Sequence, residues 1–549
     1  MRAFALLLDR LSFTPARNGK LVLVRDYLHD TPDPERGWAL AALAGTLSFD
    51  AAKPSFIRKA VEARVVPRLF ALSYDFVGDL AETVALIWAP SPGSNAASGE
   101  NAPDLSEVVE RLRTSSRREV PQLLERWLDQ MDSDGRWALL KLLTGGLRVG
   151  VSSRLAKQAL ADLGGVSVSE VEEVWHSQRP PFEDLFAWLE KRSEKPSPHA
   201  PGRFRPVMLA QALDDVQALA NLDPTDYAAE WKWDGIRVQA VNESGKRILF
   251  SRSGDDISAA FPDVVESLNF NGVVDGELLV MRNGHVATFA DLQQRLNRKA
   301  PNARLMESHP AGIRAYDLLL EGLEDIRPLP FRERRQRLER FVARESNPRL
   351  DLSPLIGFAD WQALASLRAK PPEGDARLAE GIMLKRLDSI YEAGRPKGPW
   401  FKWKRDPHLV DAVLMYAQRG HGKRSGYYSD YTFGVWQEDE NGDRVLTPVG
   451  KAYFGFTDEE LKRIDRFVRD NTVDRFGPVR VVKADLKEGL VLEVAFEGLQ
   501  RSPRHKSGLA MRFPRINRIR WDKPSGEADT LASLEKLLDR IQGAGPTRI

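Results

Sequence analysis

The chain has 549 residues, room for three or four domains at about 150 residues each. Hydrophobic residues make up 42% and charged residues 29%, a soluble, globular balance, and no run approaches the roughly 18 unbroken apolar residues of a membrane span. There is no cysteine, which excludes disulfides and thiolate zinc sites and fits a reducing cytoplasm, and a net charge of only +2 makes any basic surface local and offset elsewhere. The start, Met1 to Asp9, is apolar but is cut short by Asp9 and Arg10, without the length or cleavage site of a signal peptide.

From Thr31 to about Gln178 the apolar spacing is helical: Trp38, Leu40, Leu43, Ala44 and Leu47, then Val108, Val109 and Leu112, then Leu123, Leu124, Trp127 and Leu128. Asp104 is expected to cap the helix beginning near Leu105, and Ser91 to Asn101 reads as a polar loop joining two halves of one helical domain. Between two helices lies Gly145-Gly146-Leu147-Arg148-Val149-Gly150-Val151-Ser152-Ser153-Arg154. Its glycines let backbone amides approach an anion, and Ser152 or Ser153 is placed to cap the helix carrying Arg154 and Lys157. That combination suits a grip on a nucleic-acid backbone through Arg148, Ser152 and Arg154, though a plain helical connection has the same look. Residues Glu190 to Arg205 are charged and contain three prolines, the composition of a linker.

The middle of the chain opens with Pro206 and soon reaches Glu230-Trp231-Lys232-Trp233-Asp234-Gly235-Ile236-Arg237. In a strand, Trp231 and Trp233 point away from Lys232 and anchor it, Gly235 permits a bend or a close approach, and Arg237 offers a fork for phosphate. A lysine amine attacks an electrophile only when deprotonated, a state favoured by apolar surroundings and nearby cations. A hairpin turning at Asn242 to Gly245 returns to Arg252, near the Lys232 pocket. A second hairpin carries Glu277 in its first strand, turns at Arg282-Asn283-Gly284 and returns from His285 to Phe289. Then come a buried-type strand with Tyr316, a strand with Glu380 and Lys385, and Trp400 to Lys404 with Lys402 and Lys404 on one face. Singly, each polar residue reads as a salt bridge or a solvated face. Together, in order, they break five apolar segments, and buried charges are costly unless paired or bound to a ligand. One nucleophile, two carboxylates, several cations and an aromatic ring make a nucleotide pocket.

The ordered set Lys232-Trp233-Asp234-Gly235-Ile236-Arg237, Ser251-Arg252-Ser253-Gly254, Val274-Asp275-Gly276-Glu277-Leu278, Ala315-Tyr316-Asp317-Leu318, Glu380 to Lys385, Trp400 to Lys404 and Arg520-Trp521-Asp522-Lys523 resembles the covalent nucleotidyltransferases, most closely the ATP-dependent DNA ligases. The likeness extends to Gly146 to Ser152 in front and to Arg512-Phe513-Pro514-Arg515-Ile516 in the tail. It implies a multidomain chain: an all-α DNA-binding domain over 1–189, a linker at 190–205, an α+β nucleotidyltransferase (adenylation) domain over 206–406, and a β-barrel OB-fold domain over 407–549. By that resemblance Lys232 becomes adenylylated by ATP, Glu230 reads the adenine amino group, and Arg237 and Arg252 contact ribose and phosphate. Glu277 and Glu380 hold Mg2+, with Mn2+ as the substitute, and Tyr316 stacks on the base. Lys385, Lys402, Lys404 and, less regularly spaced, Arg395 hold phosphates. Arg520 and Lys523 orient the pyrophosphate, and Arg512 and Arg515 contact DNA. The implied partner is a nicked duplex, met by a cytoplasmic monomer of the bacterial repair type, with no membrane role.

The tail agrees by pattern: strands at 410–417, 432–437, 445–449, 479–482 and 490–496 with a helix at 458–470 fit an OB barrel. Residues Arg501 to Lys523 concentrate cations around Phe513 and Trp521, as nucleic-acid surfaces do. Among rivals, RNA ligation or guanylyl transfer does not account for the helical front or the Arg512 to Ile516 tail. An NAD-dependent ligase resembles a family with a four-cysteine zinc module, which this chain lacks. A non-catalytic nick-binding scaffold does not need Lys232, Glu277 and Glu380 intact.

Overall fold

The computed structural model describes the chain except residues 48, 50–52, 78, 92–101, 197–200, 297, 299, 420–427, 454–456 and 543–549. The expected loop at Ser91 to Asn101 thus lies, Ser91 apart, outside the described residues. Contacts group the chain into two compact units, Leu160–Asp406 and Met1–Ala159 with Pro407–Ile549. The cut falls inside the helix Ser153–Gly164, so the helices Val168–Trp175 and Glu183–Leu189 group with the central residues. Charge explains why: Glu173 pairs with Arg203 at 3.4 Å and with Arg327 at 2.6 Å. The end of the proline-rich stretch is also built in, because buried Arg205 forms a two-bond pair with Glu243 at 2.7 and 2.6 Å.

The central unit holds two sheets. The strands are β1 (Gln211–Ala212), β2 (Tyr227–Lys232), β3 (Ile236–Glu243), β4 (Lys246–Ser251), β5 (Gly272–Arg282), β6 (His285–Val286), β7 (Ala311–Glu321), β8 (Glu324–Asp325), β9 (Leu350–Leu352), β10 (Leu355–Ile356), β11 (Gly381–Arg386) and β12 (Trp400–Lys404). One sheet runs β1-β12-β11-β2-β10, the other β4-β3-β5-β7-β8 with β6 and β9 attached to β5 and β7. Trp233-Asp234-Gly235 carries the chain from the first sheet to the second. Gly235 is required there by a neighbouring strand: a Cβ would sit 2.5 Å from the Leu278 carbonyl oxygen. The turns at Ser244-Gly245 and Asn283-Gly284 both have positive φ, the conformation two-residue hairpins favour. The second hairpin's return is shorter than expected, because Phe289 begins a helix, Phe289–Leu296.

Alternation sorts the side chains. In the first sheet Tyr227, Ala229, Trp231, Ile382, Leu384 and Trp403 enter one core, joined by Trp233. In the second, Val238, Ala240, Val274, Leu278 and Val280 enter another, closed by Leu338 and Phe341 of the helix Phe331–Glu345. The remaining faces meet through a smaller cluster containing Val241, Val273 and Leu319 from one sheet and Trp400 and Met383 from the other. Those faces also bear the polar residues of the motifs.

In the other unit the N-terminal part is helical, as expected. The helix Leu105–Thr114 is not capped by the Asp104 side chain; Glu35, on the helix Glu35–Ala44, accepts from the amides of Leu105 and Ser106, both at 2.9 Å. Of the two serines considered, Ser152 caps the next motif helix, accepting from the Leu155 amide at 3.2 Å. The C-terminal part is a curled β structure of β13 (His408–Arg419), β14 (Tyr428–Glu438), β15 (Arg444–Ala452), β16 (Thr472–Phe476), β17 (Val479–Val482), β18 (Val491–Phe496), β19 (Gly498–Arg501), β20 (Leu509–Arg512) and β21 (Arg515–Arg520). Long β13 pairs with β14 on one edge and with β18 and β17 on the other; its bulges bend the sheet around one core. The expected strands and the helix Asp458–Asp470 are present, the latter held by a capping box from Thr457 and Glu460. Four further strands, β16 and β19 to β21, and the helix Leu531–Gln542 accompany them.

Candidate active site

The inner face of the first sheet places Glu230 and Lys232 on β2, Met383 and Lys385 on β11, and Lys402 and Lys404 on β12, with Met383 opposite both Glu230 and Lys402. Glu380, just before β11, donates its amide to the Lys232 carbonyl at 2.8 Å, which sets its carboxylate beside the lysine. That carboxylate pairs with the Lys232 ammonium and with Lys404 Nζ at 3.2 Å. Burial pushes Glu380 up, but Lys232 and Lys404 outweigh it and hold Glu380 below the usual carboxylate range. Lys402 is lowered too, but here the charged form is the one disfavoured: burial, then Lys404, Arg395, Lys232 and Arg252, lower it. Four other expected cations therefore act on Lys402, an arrangement that a polyanion relieves.

The second sheet supplies Arg237, Asp275, Glu277 and Tyr316. Arg237 is opposite Glu277 in the β3–β5 register. Burial drives Glu277 up to about 8, opposed by Lys232 and Arg237 and reinforced by Glu380 and Asp275. Arg237 is already engaged: it forks onto Asp275 at 3.0 and 2.6 Å and donates to the Met208 carbonyl at 2.7 Å and to the Tyr391 hydroxyl at 3.0 Å. Tyr391 in turn donates to Asp275 at 2.6 Å. Tyr316 is the extra residue of a bulge, since β5 pairs Gly276 with Ala315 and Asp275 with Asp317. A bulge re-aims its side chain.

One placement departs from expectation. Lys385, expected among the phosphate-binding cations, is 1% exposed and pairs with Glu230 at 2.7 Å. It also donates to the Tyr316 carbonyl at 3.0 Å and lies 4.6 Å from the Tyr316 ring centre. The strand is one step too deep there: Lys385 sits opposite Ala228, whereas Gly381 sits opposite Lys232. Glu230 is 2% exposed and is held from its other side by Arg335 at 2.8 Å.

Sequence reading missed Asp275, Tyr391, Met383 and Arg335. Asp275 had a signal, lying two residues before Glu277 and so on its strand face; Tyr391 lies in a loop and had none. Arg335 is hidden in the run Arg332-Glu333-Arg334-Arg335, which reads as a solvated helix face.

In the other unit, Arg148 and Arg154 are exposed; Arg148 has φ 43° and Gly150 φ 72°. Lys20 Nζ donates to the Val149 carbonyl at 2.5 Å and holds that turn. Arg512 and Arg515 flank Phe513, which has φ 51° and is 63% exposed. The terminal motif is tied to carboxylates: Asp411 of β13 accepts from Arg520 at 3.2 Å and Lys523 at 2.7 Å, and Arg520 also donates to Asp522 at 2.9 Å.

Two sheets enclosing a strand-end lysine, followed by a curled OB-like β domain, define the nucleotidyltransferase class. The family model described as "ATP dependent DNA ligase domain" matches residues 207–404, and "ATP dependent DNA ligase C terminal region" matches 424–523. A probable DNA ligase of Koribacter versatilis is 30% identical over 98% of this chain and 96% of its own. DNA ligase 1 of Korarchaeum cryptofilum is 30% identical over 98% of each. Among solved structures, Pmar-Lig_PreS3 shares the fold with a TM-score of 0.56 at 16% identity, covering 94% of this chain and 99% of that one. The chain belongs to the ATP-dependent DNA ligase family: it is a ligase that uses ATP and binds DNA.

Proposed function

We propose that this ligase seals nicks in duplex DNA through Lys232-AMP, and the observation that carries the reading is Lys232 paired with Glu380 on a sheet face shared with Lys402 and Lys404, with Arg252 and Arg395 near enough to act on Lys402. The deprotonated amine of Lys232 attacks the α-phosphorus of ATP; an N–P bond forms and the bond to pyrophosphate breaks. The AMP passes to the nick's 5′-phosphate, and the 3′-hydroxyl then displaces it, closing the phosphodiester. Such displacements need alignment and charge neutralisation above all, which the cations supply.

Among the described residues no group of three or more His, Cys, Asp or Glu side chains is placed to hold a metal alone. Glu277 and Glu380 nonetheless fit Mg2+, which is commonly bound by one or two carboxylates together with substrate phosphates. When bound it neutralises phosphate charge. Glu277 and Glu380 would hold it, and Glu380 would then share its charge less with Lys232. Glu230 contacts the adenine amino group, Tyr316 stacks on the base, and Arg237, fixed by Asp275, faces the ribose. Arg148, Ser152, Arg154, Arg512 and Arg515 grip the DNA. A cytoplasmic monomer serving repair completes the reading.

The test is α-labelled ATP with Mg2+ and nicked duplex. Protein-bound label on the wild type, labile to acid and stable to alkali as a phosphoramidate is, that moves to DNA and leaves as AMP on sealing is expected; Lys232→Ala takes up none. Label on Lys232→Ala, or uptake from GTP in place of ATP, overturns the reading.

A further inference from the structure

We propose that Arg335 is a positioning residue that decides which purine the site accepts, acting through Glu230; this rests on the reading of Glu230 as the contact to the adenine amino group. Glu230 is a carboxylate with 2% of its surface exposed. Each oxygen holds one cation, Arg335 at 2.8 Å on Oε1 and Lys385 at 2.7 Å on Oε2, and keeps further acceptor capacity. An unpaired buried carboxylate takes up a proton to escape the cost of its charge. Burial does push Glu230 above the usual range, and Lys385 and Arg335 are the groups that oppose it.

The protonation state sets the hydrogen-bond direction. An ionised carboxylate only accepts, so it takes the 6-amino group of adenine and repels a 6-oxo group. A protonated one can donate, and a 6-oxo purine then fits. Keeping two cations on Glu230 therefore keeps the pocket selective for a 6-amino base. Lys385 cannot be changed cleanly, because it also bonds the Tyr316 carbonyl at 3.0 Å. Arg335 is held otherwise by Glu339, at 2.7 Å on its own helix. The neighbouring Arg334 forks onto Asp317 at 2.9 and 3.0 Å with both side chains fully buried, which keeps the helix Phe331–Glu345 docked when Arg335 is replaced.

The experiment compares label uptake by the full chain from ATP and from inosine triphosphate, which carries a 6-oxo group in place of the 6-amino group and a proton on N1. Wild type, Arg335→Met, Arg335→Lys and Glu230→Gln are each assayed for kcat/KM. The ATP-to-ITP ratio is expected to fall roughly tenfold or more in Arg335→Met and Glu230→Gln, the scale of one buried hydrogen bond turned from favourable to unfavourable, and to recover in Arg335→Lys. Equal loss on both nucleotides in Arg335→Met, while Glu230→Gln shifts the ratio, overturns the role of Arg335 alone. An unchanged ratio in Glu230→Gln overturns the reading of Glu230 beneath it. Arg335→Gln provides the same comparison should Arg335→Met not fold.

Discussion

Glu277 costs the fold stability in order to be useful. Its carboxyl lies at about 8 in the folded chain against an ordinary 4.5, with burial the main cause. Between those values the folded chain holds a proton that the unfolded chain has released, so its contribution is favourable at low pH and is lost as pH rises toward 8. Glu277→Gln removes that loss. In EDTA its Tm is expected to exceed the wild type's by a margin that widens from pH 5 to pH 8, while label uptake from ATP disappears. A margin independent of pH counts against the assignment. At this scale the sequence was most legible where a charge interrupts an apolar strand, as at Lys232, Glu277 and Lys402. It was least legible where the partner comes from elsewhere in the chain. Lys385 looked like a phosphate ligand because nothing local shows that Glu230, on the neighbouring strand, lies within its reach. Arg335 looked like solvent-facing charge because the strand it meets is distant in sequence.

Elements were legible when their signals were local, and missed when tertiary contacts replaced those signals. The helix Leu105–Thr114 has a good capping residue in Asp104, yet Glu35 makes both bonds. Glu35→Ala is expected to cost about 1–2 kcal/mol in chemical denaturation, the range of a lost cap, whereas Asp104→Ala costs a few tenths at most. The reverse order restores the local cap and removes the distant one. Strand β21 escaped for a related reason. Its buried residues, Ile516 and Ile519, are three apart, which breaks a two-residue alternation. A bulge against Glu493 and Val494 absorbs the extra residue and turns both isoleucines inward. The surrounding arginines made the stretch read as a charge run. Strands β2, β11 and β12 have no such interruption, and their polar positions fall on one face by simple counting, whereas β7 carries its own bulge at Tyr316.

For the whole molecule, 80 basic and 78 acidic residues nearly cancel, so DNA affinity has to come from placed cations. Arg515→Ala is expected to weaken binding to nicked duplexes of any sequence and to reduce the slope of log affinity against log salt by about 1. An unchanged slope removes Arg515 from the DNA surface. The terminal motif stands in another relation to salt. Arg520 is paired with Asp522, Asp411 and Glu493, and Lys523 with Asp411, so if these cations meet the pyrophosphate, as the resemblance implies, one anion is exchanged for another and few mobile ions are released. Self-labelling by ATP is therefore expected to keep more of its rate than sealing does as salt is raised, and Asp411→Asn, which removes the carboxylate the two cations share while Arg520 keeps Asp522, makes the labelling step fall more steeply. The β domain in this sense carries its own counterions, covalently tethered in Asp411, Asp522 and Glu493, and the expectation is that self-labelling is buffered against the ionic strength that governs the hold on DNA.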